Sequence, residues 1–189
     1  MRLRRLLREW HWQRLQTSLA QVQLLVLDVD GVLTDGGLWL DSEGRLQKRF
    51  DVRDGLGLKL LQKAGIQLAL LSGGQGGATE VRARQLSIEH CLVGIKDKQP
   101  ALKALQERVG VTPRHTCYVG DDLNDLAVRR SVQLLIAPRD GCRPLRRQTD
   151  AVLNRRGGHG AVRELAERIL KSRGDWHKLA QHGWGDRND

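Results

Sequence analysis

Apolar residues fall into short, nearly continuous runs at 22–28, 66–71, 90–93, 115–119 and 133–136, each with the length and composition of a strand. Between the runs, apolar positions are spaced as on helices over 55–64, 77–86, 98–109 and 123–130. Gly65 and Gly110 fall where a helix C-terminus takes a residue at positive φ, and Thr112-Pro113 marks a turn before the fourth strand. Strands that are apolar nearly throughout and alternate with helices predict a parallel sheet covered on both faces, a three-layer α/β fold.

One segment breaks this rhythm. "GGLWLDSEGRLQKRFDVRDG" reads as two short strands, 38–40 and 46–50, joined by the turn Asp41-Ser42-Glu43-Gly44. A hairpin placed directly after the first parallel strand lies at the carboxyl edge of the sheet, where open α/β folds bind ligands. At the N-terminus, Leu3, Leu6, Leu7, Trp10, Leu15 and Leu19 approximate one helical stripe, which predicts a packing or oligomer helix over 1–20. The last helix, 161–171, is stopped by Gly174. The expected division is an amphipathic extension at 1–20, one domain at 21–173, and a polar, mobile tail at 174–189.

Composition narrows the class. A chain of 189 residues, 40% apolar and 29% charged, has the profile of one soluble globular domain. No apolar run is long enough for a transmembrane helix, and the N-terminus lacks the apolar core of a signal peptide, so a cytoplasmic protein without membrane contact is expected. Cys91, Cys117 and Cys142 are odd in number and widely spaced, which suits reduced thiols. The net charge of +10 is concentrated, with five arginines against one glutamate in residues 1–20 and ten Lys/Arg against four Asp/Glu in 139–173. That excess fits a small anionic substrate or plain solubility. With one Phe and one Tyr there is no stacking platform for nucleic acid, and no such partner is expected.

The first strand runs into Asp28 and Asp30. Ser72-Gly73-Gly74 follows the second strand, Asp97-Lys98 opens the helix after the third, and Gly120-Asp121-Asp122-Leu123-Asn124-Asp125 follows the fourth. All strand ends of a parallel sheet face one edge, so these groups converge. Carboxylates gathered without a cation repel and raise one another's pKa. A hard divalent ion such as Mg²⁺ resolves that, while a lysine, a hydroxyl and glycine amides suit phosphoryl oxygens. These are the parts that phosphoryl transfer needs.

"DVDGVLTDG", "LLSGG", "DK" and "GDDLND" resemble, in order, the four motifs of the haloacid dehalogenase superfamily. "DGLGLKLLQKAGIQLALLSG" and "GGHGAVRELAERIL" look like its capless 3-deoxy-D-manno-octulosonate 8-phosphate phosphatase family, a resemblance extending over residues 24–170. It implies a Rossmann-like sheet with a hairpin flap after strand 1 and no large cap. The implied activity is Mg²⁺-dependent hydrolysis of that sugar phosphate, a step of lipopolysaccharide biosynthesis, through an aspartyl-phosphate. By the same resemblance Asp28 is the nucleophile and Asp30 the general acid and base. Mg²⁺ binds Asp28, the backbone carbonyl of Asp30, and Asp121. Ser72 and Lys98 hold phosphoryl oxygens, and Asp122 and Asp125 orient metal-bound water or Lys98. Gly73, Thr34 and Asp35 contact phosphate or substrate. Relatives form tetramers in which the hairpin and the C-terminal segment reach a neighbour's active site. Two departures bear on the substrate: Gly74 stands where the family commonly has Arg, and Val93-Gly94 where it has Gln-Gly. A nonulosonate 9-phosphate, another sugar phosphate, or a non-catalytic oligomerisation domain are the alternatives. Helix-start polarity explains His159 as well as catalysis does, and Trp39 fits an interface or a substrate-facing position equally.

Overall fold

A computed structural model describes residues 9–181, with the side chains of Ala180 and Gln181 excepted. Residues 9–14 are helical, and α1 (Gln16–Ala20) follows. Then come β1 (Leu24–Leu27), the hairpin β2 (Trp39–Leu40) and β3 (Leu46–Gln47), α2 (Val52–Lys63), β4 (Gln67–Leu71), α3 (Ala78–Gln85), β5 (His90–Leu92) and α4 (Lys98–Val109). The second half holds β6 (Thr116–Val119), a 3₁₀ segment (Leu123–Ser131), β7 (Leu134–Ala137), α5 (Arg143–Arg146), β8 (Ala151–Val152), α6 (Ala161–Arg173) and α7 (Trp176–Gln181).

Six strands form one parallel sheet in the order β5-β4-β1-β6-β7-β8, with the antiparallel hairpin β2–β3 apart from it. Strand residues alternate between two apolar layers. Leu25, Leu27, Leu68, Leu70, Val119 and Ile136 join Leu58 and Leu61 of α2 and Leu165 and Ile169 of α6. Leu24, Val26, Ala69, Leu71, Tyr118 and Leu135 join Leu102 and Leu105 of α4, Val128 of the 3₁₀ segment and Leu145 of α5. This is the expected α/β sheet with helices on both faces. The five expected strands and the hairpin are present. β8 was not expected; its two residues are too short a run to stand out.

Two expectations shift at the termini. Trp10 is 54% exposed, whereas Trp12, 5% exposed, enters the core with Leu19 under the guanidinium of Arg168, 4.4 Å from the ring. Trp12, Leu15 and Leu19 stand three and four residues apart on one helical face that packs on the core, while Trp10 lies about half a turn away on the other face. Leu3, Leu6 and Leu7 lie outside the described residues. The start of the tail is helical rather than loose, because Trp176 and Leu179 of α7 find apolar partners on the main core. The three cysteines are free thiols. Among the described residues no helix is long and apolar enough to cross a membrane.

The chain leaves β1 toward β4 and β5, then returns to β6 on the other side, so β1 marks the switch point of the sheet. Ladder hydrogen bonds continue past the strand ends: Asp28 N–H donates to Val119 O (2.9 Å), Ser72 N–H to Leu92 O (2.8 Å) and Gly120 N–H to Ile136 O (3.1 Å). That common register brings the acids and the serine level at one edge.

Candidate active site

Asp28 is 5% exposed and Lys98, at the first position of α4, is 1% exposed. Lys98 Nζ donates to Asp28 Oδ1 at 2.9 Å and to Asp125 Oδ1 at 2.6 Å. Asp125 Oδ1 also accepts from the Tyr118 hydroxyl at 2.7 Å, and Oδ2 from the backbone N–H groups of Asp121 (2.8 Å) and Asp122 (3.2 Å). Asp125 therefore serves four donors. It fixes Lys98, the β6 hydroxyl and the following loop together. Burial works against the charge on Lys98, but Asp28 and Asp125 overcome it and the ammonium is held more tightly protonated than usual.

One carboxylate oxygen each from Asp28, Asp121 and Asp125 lies within 4.8 Å of the others. Burial, opposed by Lys98, pushes Asp28 up to about 6. Burial and the charges of Asp28 and Asp125 push Asp121 up to about 8. One ammonium does not balance three acids, and the surplus negative charge is what a divalent cation cancels. Because Asp125 is saturated by four donors, Asp28 and Asp121 are the carboxylates that can ligate. An oxygen set of two carboxylates without His or Cys fits Mg²⁺, which keeps its other positions for carbonyl, water and phosphate oxygens. The Asp121 carboxylate lies against the β1 loop so closely that a Cβ on Gly31 would fall 2.1 Å from Oδ2, and Gly31 has φ +87°. Only glycine fits there. From the other side, Cys142 N–H donates to Asp121 O at 2.6 Å.

Asp30 does not join the acid cluster. Its Oδ2 pairs with Lys48 Nζ at 2.8 Å, and Oδ1 accepts from the Thr34 hydroxyl at 3.4 Å. Ser72 is 1% exposed, and its Oγ accepts from Gly74 N–H at 3.2 Å. The structure places Thr34 and Asp35 inside the loop. Thr34 Oγ1 accepts from Gly31 N–H (3.4 Å) and Gly36 N–H (3.2 Å), and Asp35 Oδ1 from Gly37 N–H (3.0 Å). Both shape the turn after β1. Asp122 accepts from Leu123 N–H at 2.8 Å and caps the 3₁₀ segment.

Residues 40–132 match the haloacid dehalogenase-like hydrolase family. The 3-deoxy-D-manno-octulosonate 8-phosphate phosphatase of Haemophilus influenzae is 39% identical over 160 residues, 85% of this chain and 89% of that one. The chain belongs to this phosphatase family, within the haloacid dehalogenase-like hydrolases. Among solved structures, the Moraxella catarrhalis enzyme of the same name, in complex with magnesium ion, phosphate ion and KDO, superposes with a TM-score of 0.87. It is 37% identical, with 89% of this chain and 97% of that one covered. The cobalt-bound Haemophilus influenzae enzyme has a TM-score of 0.83 at 37% identity, covering 86% and 95%.

Membership agrees with the motif order, while three polar side chains of the site carried no motif signal. Lys48 directly follows β3, Tyr118 lies within an apolar strand, and Thr79 in the first turn of α3. For Tyr118 a signal existed: it is the single tyrosine, and a fully buried hydroxyl needs a partner.

Proposed function

We propose that the chain is a Mg²⁺-dependent phosphomonoesterase that hydrolyses 3-deoxy-D-manno-octulosonate 8-phosphate through an aspartyl-phosphate on Asp28. The observation that carries this reading is the buried Asp28–Lys98–Asp125 network beside Asp121, at the switch point of the sheet. The similarity to phosphatases of that ester supports the choice of substrate.

In the first step a carboxylate oxygen of Asp28 bonds to phosphorus as the P–O ester bond breaks. The electron pair stays on the sugar oxygen, and Asp30 supplies the proton that makes it an alcohol. In the second step Asp30 takes a proton from water, whose oxygen attacks phosphorus and frees Asp28 and inorganic phosphate. Lys98, kept charged by Asp125, and the Ser72 hydroxyl hold phosphoryl oxygens, with the Gly73 amide beside them. Asp28, Asp121 and the backbone carbonyl of Asp30 would hold Mg²⁺, which would supply positive charge against that developing on the phosphoryl group. Asp122 serves by capping the segment that carries Asp125. The product feeds lipopolysaccharide assembly in the cytoplasm, and the working form is a homotetramer. Leu38, Trp39 and Leu40 of the hairpin, 60–68% exposed, form the apolar surface that a second copy covers.

The test is phosphate release from a panel holding the octulosonate 8-phosphate, a nonulosonate 9-phosphate and neutral hexose phosphates, with Mg²⁺ or EDTA. The expected result is a strong preference for the octulosonate ester, lost in EDTA. Equal rates across the panel would contradict the substrate, and no Mg²⁺-dependent release from any ester would contradict the chemistry.

A further inference from the structure

Lys48 follows β3, outside every motif, yet its side chain is 1% exposed. Its ammonium donates to Asp30 Oδ2 at 2.8 Å and to the hydroxyl of Thr79 at 3.2 Å, and Thr79 is itself fully buried. A lysine so enclosed is not a solvated surface charge; among the described residues its burial is offset by those two partners. Asp30 is 31% exposed at its side chain, so the acid faces the site while the group that holds it faces inward. A Cβ on Gly74 would come 3.0 Å from Asp30 Oδ2 and 3.6 Å from Lys48 Nζ. Gly74 thus leaves the approach to the pair clear of side chain.

We infer that Lys48 is the positioning residue for proton transfer by Asp30. It pins Oδ2, and so presents Oδ1, whose hydrogen bond to Thr34 is long at 3.4 Å, as the oxygen that exchanges protons with the leaving group and with water. The proton on Oδ1 passes to the bridging ester oxygen as that oxygen takes the electron pair of the breaking P–O bond. Thr79 makes the anchor rigid by tying Lys48 to α3 rather than to the hairpin alone. Hairpin placement and proton delivery are thereby linked. The inference rests on the phosphatase reading above.

Leaving-group dependence tests it. The value of kcat/KM reports steps up to release of the leaving group, so a lost proton donor is felt by a sugar ester, whose alkoxide leaves poorly. It is felt far less by 4-nitrophenyl phosphate, whose phenolate leaves unaided. Lys48→Met is expected to lower kcat/KM for the sugar ester by on the order of 10²-fold, and for the aryl ester by at least about tenfold less. Lys48→Arg is expected to regain part of the loss. Thr79→Val, close in shape and keeping Lys48, is expected to show the same asymmetry at smaller size, and it decides the matter if Lys48→Met does not fold. Equal losses on both esters, or none on either, would overturn the role of Lys48. A wild-type chain inactive on both esters would instead remove the phosphatase reading beneath it.

Discussion

Asp54 is 1% exposed, and its two carboxylate oxygens accept from the backbone N–H groups of Gly160 (3.2 Å) and Arg163 (2.8 Å), at the start of α6. It therefore ties α2 to the N-terminal end of another helix, where donors are otherwise unpaired. Burial outweighs those hydrogen bonds and raises its pKa from 3.8 to about 6, a shift worth about 3 kcal/mol. For a raised acid the stabilising contribution is fully present below the unfolded value. It is lost as pH rises through the folded value. Melting temperatures of wild type and Asp54→Asn, compared from pH 4 to pH 7, should shift in favour of the variant as pH rises. A constant difference between the two would contradict this account of Asp54.

At the scale of elements, the loop after β1 is backed by the segment ahead of α6. Gly158 N–H donates to Val32 O at 2.9 Å, and a Cβ on Gly157 would lie 1.8 Å from Gly31 O. The "RRGGHG" stretch is glycine-rich because two backbones touch there, directly behind the acids. Gly157→Ala should destabilise the fold by about 3 kcal/mol, and lower activity by displacing Gly31, which itself abuts Asp121. A denaturant midpoint unchanged from wild type would contradict it. The elements themselves were legible because apolar runs and helical spacing differ sharply: α4 begins and ends where the spacing places it, and Gly110 ends it at φ +69°. Asp28, Asp121 and Lys98 were legible because each follows a strand. Lys48 was not, since nothing in "RLQKRF" distinguishes an inward lysine from a solvated one until the hairpin folds over the sheet. The same holds for Thr34 and Asp35, whose atoms satisfy loop amides that no linear pattern reveals.

For the whole molecule, the helical stretch at 9–20 packs on the core, since Trp12 and Leu19 share a cluster with Leu25 and Leu165. Arg168 binds it from α6, through Glu9 at 3.2 Å and the Trp12 ring. The exposed hairpin tip is the opposite case. Trp39 is 68% exposed and pairs with the short β3 strand opposite it, through its Gln47 register partner. If the proposed homotetramer is held by this tip, replacing Trp39 with Glu should reduce the mass in light scattering from that of a tetramer toward smaller species, without lowering the melting temperature of the protomer. A tetramer unaffected by the charge would place the contact elsewhere.

The most direct measurement is acid quench of the enzyme during turnover of the octulosonate ester with Mg²⁺, followed by peptide mass analysis. The expected result is a phosphoryl group on the peptide carrying Asp28, absent in Asp28→Asn and absent in EDTA. Turnover with no phosphorylated Asp28, or full turnover by Asp28→Asn, would contradict it.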